Sequence, residues 1–133
     1  LLPQIVDWNR QHLLEVNGRL VEDPRVHLHL EDVHHVLAAT EPQTYDAILV
    51  DVDNGPAAFV DRRNQRMYAN PGIRSVFQAL KPGGRAVYWS AVRDDYFAIK
   101  LGHAGFRVQV IAAKAYPEAK RASHTLFCAD RAG

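Results

Sequence analysis

The stretch that decides the fold is residues 45–51, which read Tyr-Asp-Ala-Ile-Leu-Val-Asp. A continuous apolar run of this kind is typical of a parallel strand that is buried on both faces. It ends in a carboxylate, Asp51, and a second one, Asp53, follows two residues later. Ligands of an open α/β sheet bind outside the carboxyl ends of its strands, so Asp51 should point into a crevice where a low dielectric strengthens its attraction for a cation or proton.

Helices and strands alternate after this run. A polar loop at residues 53–70 is longer than the usual four to six or so residues and is typical of a lid. Asn70 is expected to cap the next helix, with Pro71 at its first position, and Lys-Pro-Gly-Gly at residues 81–84 should end it. The other expected elements are strands at residues 86–89, 106–112 and 123–129 and a helix at residues 94–104.

The last two of these strands are joined by a short turn through Pro117, with no room for a crossover helix. They should therefore pair antiparallel, which predicts a mostly parallel sheet with an antiparallel last strand at its edge.

The residues before the decisive run predict a helix, a strand and a second helix. Apolar residues recur at helical spacing from Pro3 to Val16, and Asn-Gly at residues 17–18 is a fitting stop. Residues 26–30 alternate as a strand does. Asp32 is then expected to be the N-cap of a short helix.

Composition excludes several classes of function. Sixteen basic and fifteen acidic residues leave a formal charge of +1, so nothing points to nucleic acid or to an anionic membrane surface. No apolar run reaches the roughly eighteen residues of a membrane span. A single cysteine, Cys128, suits a reducing cytoplasm. Histidines at positions 27, 29, 34 and 35 invite a metal hypothesis, but alternation along a strand equally predicts a solvent-facing row, and we expect no metal.

The run at residues 45–51, the following loop and Leu-Lys-Pro-Gly-Gly at residues 80–84 resemble the central block of spermidine synthases. The resemblance implies a Rossmann-like class I methyltransferase fold with a nucleoside donor. By position, Asp32 matches the family's residue for the adenine amino group, and its neighbour Val33 joins it in the cofactor site. Asp51 matches the acid that helps to deprotonate the attacking amine and also faces the donor.

Two further residues enter the expected substrate site. Asp53 would anchor a cationic amine, and Tyr116, in Ala-Tyr-Pro at residues 115–117, resembles the family's tyrosine-proline turn. The resemblance implies aminopropyl transfer from decarboxylated S-adenosylmethionine to a small amine, without metal, nucleic acid or membrane, and a possible homodimer.

Departures from the family pattern keep alternatives open. The aspartate-proline pair expected after the catalytic aspartate is replaced by Val-Asp-Asn-Gly-Pro at residues 52–56, and the block is closer to bacterial spermidine-synthase-like proteins of uncertain substrate. A small-molecule methyltransferase using S-adenosylmethionine is the second hypothesis, and a noncatalytic nucleoside-binding or dimerisation module is the third.

The N-terminal part of the resembling domain has no counterpart here. Residues 1–133 are expected to be a partial S-adenosylmethionine-binding-type domain that lacks its first two strands, its glycine-rich loop and the ribose-binding acid. Those strands would lie between the strand at residues 26–30 and the strand that bears Asp51, so both should expose unpaired edges. We therefore expect residues preceding Leu1 in the natural protein.

Overall fold

A computed structural model describes residues 3–52, 55–56 and 65–133. The chain divides into two compact units, Leu1–Val36 and Leu37–Gly133. Each unit is described by itself below.

The N-terminal unit is helical. Helix α1 spans Pro3–Gln11, α2 spans Leu14–Asn17, and a 3₁₀ turn covers Leu20–Glu22. The single helix expected over residues 3–16 is therefore wrong: the backbone leaves the helical region at Leu13, with φ −107° and ψ 15°. Gly18 ends α2 at φ 57°, a conformation that glycine adopts without strain, as the sequence predicts.

The strand expected at residues 26–30 does not form. The segment has no strand assignment, and its apolar residues Val26, Leu28 and Leu30 are exposed. A strand is stabilised by hydrogen bonds to a neighbour, and no described strand lies beside this one, so alternation alone is not sufficient. Helix α3, Val33–Ala39, follows, and Leu37 near its end belongs to the core of the second unit.

The second unit is built on a sheet of four strands among the described residues. They are β1 (Tyr45–Val50), β2 (Leu80–Ser90), β3 (Phe106–Ala113) and β4 (His124–Arg131), in the order β1-β2-β4-β3. β1 pairs parallel with β2, and β4 pairs antiparallel with both β2 and β3. Three strands thus share one direction, and the antiparallel last strand is confirmed.

The position of that last strand differs from the expectation of an antiparallel edge. β4 lies inside the sheet, with Val87↔Cys128 in register on one side and Gln109↔Cys128 on the other. β3 does not pair with β2, and β4 lies between the two strands. β4 thereby satisfies its backbone groups on both sides, which no edge strand can do.

Three helices flank these strands: α4 (Gln65–Tyr68), α5 (Asn70–Ala79) and α6 (Asp95–His103). The capping role expected for Asn70 is wrong. α5 begins one residue earlier than predicted, with Ala69 in the extended N-cap position and no side-chain cap. Asp94 does cap α6, because its Oδ1 accepts a hydrogen bond from the Phe97 backbone N–H at 2.9 Å. α4 lies in the stretch expected to be loop.

The Lys-Pro-Gly-Gly segment ends α5 and opens β2 through an irregularity in the β1–β2 register. Gly83 has φ 78°, which requires glycine there. A Cβ on Gly84 would lie 2.9 Å from the Lys81 carbonyl oxygen and 3.0 Å from that of Asp46. The Lys81 ammonium also pairs with the Asp46 carboxylate at 2.8 Å, so this segment ties β2 to the start of β1.

The core lies between the sheet and α4–α6. An aromatic cluster of Tyr68, Tyr88, Phe97 and Phe127 fills its centre, with ring centroids 5.1 Å apart for both Tyr88–Phe97 and Phe97–Phe127. Edge contacts of this kind add to the burial of large apolar surfaces. This face of the sheet therefore carries most of the packing.

Candidate functional site

Asp51 directly follows the carboxyl end of β1, as the sequence predicts. Val50 before it is buried, whereas Asp51 itself is exposed, so the expected low-dielectric surroundings are not found. Among the described residues its carboxylate makes no hydrogen bond or ion pair. Asp51 thus presents an open carboxylate at the edge of the sheet where an α/β fold binds its ligands.

The chain after Asp51 returns to the end of β2. Gly55 is buried at φ 107°, and a Cβ on it would overlap Ser90 Oγ and lie 2.7 Å from Ser90 Cβ. Ser90 is fully buried and donates a hydrogen bond through its hydroxyl to the Val92 carbonyl oxygen at 2.7 Å. Only glycine fits this close to Ser90. The contact between Gly55 and Ser90 therefore fixes where the chain after Asp51 returns to the sheet.

Asp32 and Val33 belong to the N-terminal unit. The Asp32 Oδ1 accepts a hydrogen bond from the His34 backbone N–H at 2.8 Å, and its carbonyl oxygen accepts one from that of His35 at 2.9 Å. The capping role predicted for Asp32 is confirmed. Val33 is the first residue of α3 and is exposed. Any role of these two residues toward a nucleoside stays a prediction.

Tyr116 lies in the connection between β3 and β4. Its carbonyl oxygen accepts a hydrogen bond from the Ala119 backbone N–H at 3.0 Å, and the Ser123 N–H bonds to the Ala113 carbonyl oxygen at 3.1 Å. The tight, helix-free connection is as predicted. The Tyr116 side chain is 60% exposed, and within the described ranges its ring contacts no other aromatic ring. The Tyr116 side chain is therefore accessible, and no described aromatic contact fixes its position.

Asp53 lies outside the described residues, as do Arg62 and Arg63 of the same loop. Arg66, in α4, is described and exposed.

Trp89 and His124 are both half-buried, at the end of β2 and the start of β4, with ring centroids 5.0 Å apart and planes at 41°. The alternation of β2 accounts for the position of Trp89: Tyr88 and Ser90 face the helices, so Trp89 between them faces the other side. This pair lies at the same edge of the sheet as Asp51, because antiparallel β4 begins where β2 ends.

A groove of about 330 Å³ lies at α5 and α6 rather than at Asp51. Its lining combines cationic, polar and apolar side chains: Asn70, Arg74, Tyr96, Ile99, Lys100, His103 and Ala104. The helices cover the opposite face from Trp89, so this groove is not the predicted crevice. The groove and the exposed carboxylate at the end of β1 therefore lie in different places. The candidate site is assigned to Asp51, because its carboxylate can take part in the chemistry.

The described ranges contain neither a cluster of metal-ligating side chains nor a membrane-spanning helix. No group of three or more histidine, cysteine or acidic side chains converges there, and His29 lies 3.8 Å from Glu31 without a third partner. Within the same residues, no helix has the length and apolarity to span a membrane.

The comparison that decides the family covers most of the chain. The model of the spermine/spermidine synthase domain matches residues 3–92. The chain belongs to the spermine/spermidine synthase family. The matched range of this family member contains Asp32, Val33, Asp51 and Trp89, whereas Tyr116 and His124 lie beyond it.

Curated relatives of this family member match over similar ranges. A spermidine synthase of Coffea arabica is 40% identical over 82 residues, which are 60% of this chain and 23% of the relative. Polyamine aminopropyltransferase 2 of Pseudomonas aeruginosa is 32% identical over 85 residues, 61% of this chain and 22% of that protein. The chain thus spans less than a quarter of the length of these two relatives.

Solved structures establish the fold of this family member. An O-methyltransferase family protein from Burkholderia thailandensis superposes with a TM-score of 0.62 over 99% of this chain and 42% of its own, at 14% identity. At this identity the likeness shows the fold alone, and it is the Rossmann-like methyltransferase fold that the sequence predicts.

Proposed function

We propose that this protein is a transferase that moves an aminopropyl group from decarboxylated S-adenosylmethionine to a small amine. The observation that carries the proposal is the exposed carboxylate of Asp51 at the carboxyl end of β1, which has no ion pair among the described residues, in a chain of the spermine/spermidine synthase family. A carboxylate that no described cation neutralises is suited to attract a cationic amine and to accept its proton.

The reaction assigns Asp51 one task. The nitrogen lone pair of the acceptor attacks the carbon bonded to the sulfonium, the carbon–sulfur bond breaks, and methylthioadenosine leaves with the electron pair. Before the attack, Asp51 receives a proton from the acceptor ammonium, so that the nitrogen lone pair becomes available. The nitrogen of the product then carries the positive charge that the sulfur has lost. Such general-base catalysis contributes about 10²–10⁴-fold to a rate, and holding the two reactants in line contributes further.

Each of the other predicted residues has a proposed role toward the donor or the acceptor. Asp32 and Val33 at the start of α3 would contact the adenine of the donor, Asp53 would attract the cationic acceptor, and Tyr116 would contact the acceptor. The accessible ring of Tyr116 supports that last role. We further propose that the protein is cytoplasmic, which is supported by its single unpaired thiol, Cys128. We also propose that it forms a homodimer.

The proposal is tested by calorimetry with the natural protein, as it is produced in the cell. Methylthioadenosine, S-adenosylmethionine and decarboxylated S-adenosylmethionine are titrated separately, and product is then sought with a series of amines. Tighter binding of the decarboxylated donor than of the intact one, with amine-dependent release of methylthioadenosine, is expected. Absence of that release with every amine would contradict the proposal.

Methyl transfer is the second candidate, supported by the methyltransferase fold. It predicts preference for intact S-adenosylmethionine and formation of S-adenosylhomocysteine. Nucleoside binding without either product would instead support the noncatalytic module.

A further inference from the structure

The groove between α5 and α6 is lined by one stripe of side chains from each helix. Asn70 and Arg74 lie one turn apart on α5. On α6, Tyr96, Lys100 and His103 follow one another at the same helical spacing. Residues three or four positions apart share one face of a helix. A second groove of about 260 Å³ continues along α5 and shares Asn70 and Arg74, so the two stripes border one elongated depression.

The core holds one end of this groove in shape. Gly105, just after the end of α6, has φ 102°, and a Cβ on it would lie 3.2 Å from the Phe77 ring of α5. The Phe77 ring packs edge-on against Phe106, with ring centroids 5.0 Å apart. The end of α6 is therefore packed closely against α5, and the groove is formed without a ligand.

The cationic side chains of the groove have no carboxylate partner. Lys100 is half-buried, and its Nζ lies 5.1 Å from the centroid of the Tyr96 ring. Within the described ranges, Arg74 and His103 make no ion pair and no side-chain hydrogen bond. The residues that line the groove include no aspartate or glutamate. The positive charge on both walls is therefore left without an anion.

The acidic residues at the start of α6 are engaged outside the groove. Asp94 Oδ1 accepts a hydrogen bond from the Phe97 backbone N–H, and the Asp95 carboxylate pairs with the Arg93 guanidinium at 2.8 Å. The positive start of α5, which has no side-chain cap, and the negative carbonyl end of α6 both border the groove and oppose each other. The side chains therefore decide its sign, which is positive.

The chemistry of the groove fits an anion that carries an organic group. A guanidinium can donate two parallel hydrogen bonds to a phosphate, and an ammonium adds a compact positive charge. A phosphate monoester carries a charge of about −1.5 to −2 at neutral pH, so it matches two cations better than one carboxylate does. Tyr96 and Ile99, beside the cations, are 67% and 53% exposed. The groove volume is close to the lower limit of small-molecule sites, about 300 Å³.

We propose that the groove between α5 and α6 binds a small phosphomonoester that has an apolar or aromatic group. Arg74 and Lys100 hold the phosphate from the two walls, and His103 donates a further hydrogen bond. Tyr96 and Ile99 contact the organic group. The groove shares no residue with the proposed transferase site, so this inference goes beyond the proposed function and does not depend on it.

Calorimetric titration of the natural protein with two probes tests the inference. Phenyl phosphate should bind saturably, and inorganic phosphate should bind about tenfold more weakly because it lacks the apolar group. Saturating methylthioadenosine should leave the Kd of phenyl phosphate unchanged, because the proposed donor site lies elsewhere. Absence of saturable binding at millimolar phenyl phosphate, equal Kd values for the two probes, or displacement by methylthioadenosine would each overturn the inference.

Substitutions on the protein surface test the assignment of the residues. Arg74→Gln and Lys100→Gln should each raise the Kd of phenyl phosphate about tenfold by removing a charge-assisted hydrogen bond. Tyr96→Ala should weaken phenyl phosphate and leave inorganic phosphate unchanged. Arg10→Gln is the matched control, the same substitution at an exposed arginine of α1. If Arg10→Gln weakens phenyl phosphate as much as Arg74→Gln does, the binding is unspecific and the inference is overturned.

Discussion

The two faces of the sheet are built from the same strands but differ in what their side chains do. On the face toward α4–α6, Tyr88 and Phe127 are fully buried against Phe97 of α6. On the other face Leu49 is 78% exposed and Trp89 is half-buried beside His124. Period-two alternation therefore separates a packing face from a face whose end is open to ligands.

Substitutions on the two faces should therefore report on different properties. Changes toward the helices should lower the free energy of unfolding. Changes at the open end, near Asp51, should alter binding and turnover first. The predictions below test that division.

Phe97→Ala should show the largest effect on stability. It removes a fully buried ring that contacts Tyr68, Tyr88 and Phe127, and such truncations cost about 3–5 kcal/mol. Leu49→Ala is the matched control on the open face and should cost less than about 1 kcal/mol because the side chain is mostly in solvent. Urea unfolding measures both values, and equal losses would contradict the division of the two faces.

Gly55→Ala should have an intermediate effect. The new Cβ would overlap Ser90, and alanine is strained at φ 107°, so we expect a loss of about 1–3 kcal/mol together with a displaced loop beside Asp51. Gly102→Ala is the control, because a Cβ on this helical glycine meets nothing within 4 Å. A Gly55→Ala protein with unchanged turnover and unfolding midpoint would show that the contact with Ser90 does not hold the loop.

Tyr88→Phe should have the smallest effect at neutral pH. The Tyr88 hydroxyl is buried and has no hydrogen-bond partner within the described chain, so its removal should change the free energy of unfolding by less than about 1 kcal/mol. Loss of several kcal/mol would instead reveal a partner for this hydroxyl.

Alkaline pH should separate Tyr88→Phe from the wild-type protein. Burial, with a smaller contribution from Tyr68, raises the pKa of Tyr88 in the folded state far above its usual value. The unfolded chain loses this proton near pH 10, so this contribution to stability is complete below about pH 10 and is lost as pH rises through the folded pKa. Above about pH 10 the free energy of unfolding should therefore fall less steeply for Tyr88→Phe than for the wild-type protein, by up to about 1.4 kcal/mol per pH unit, and urea unfolding at pH 8–11 measures this difference.

Local sequence patterns predicted the second unit well. The apolar run at residues 45–51, the glycines at 83 and 84 and the helical pattern of residues 94–104 each depend on short-range chemistry, and the corresponding strand, turn and helix all form. The position of Asp51 follows from them, because it depends only on where β1 ends.

The remaining differences arise where a distant partner decides the outcome. Residues 26–30 alternate as a strand should, but none of the described strands pairs with them, so no strand forms there. β4 lies inside the sheet because it can pair with β2 and β3 at once, which strand lengths do not reveal. The contact of Trp89 with His124 joins two residues that are 35 positions apart in sequence, and it follows from the register of their strands.

The central claim is that Asp51 accepts the proton of an attacking amine. Amine-dependent release of methylthioadenosine from decarboxylated S-adenosylmethionine should fall about 10²–10⁴-fold in Asp51→Asn. It should be unchanged in Asp46→Asn, the same substitution at an exposed carboxylate of the same strand that is paired with Lys81. Donor affinity measured by calorimetry should be similar in both variants. Equal turnover of Asp51→Asn and Asp46→Asn would contradict the assignment of Asp51 as the catalytic base.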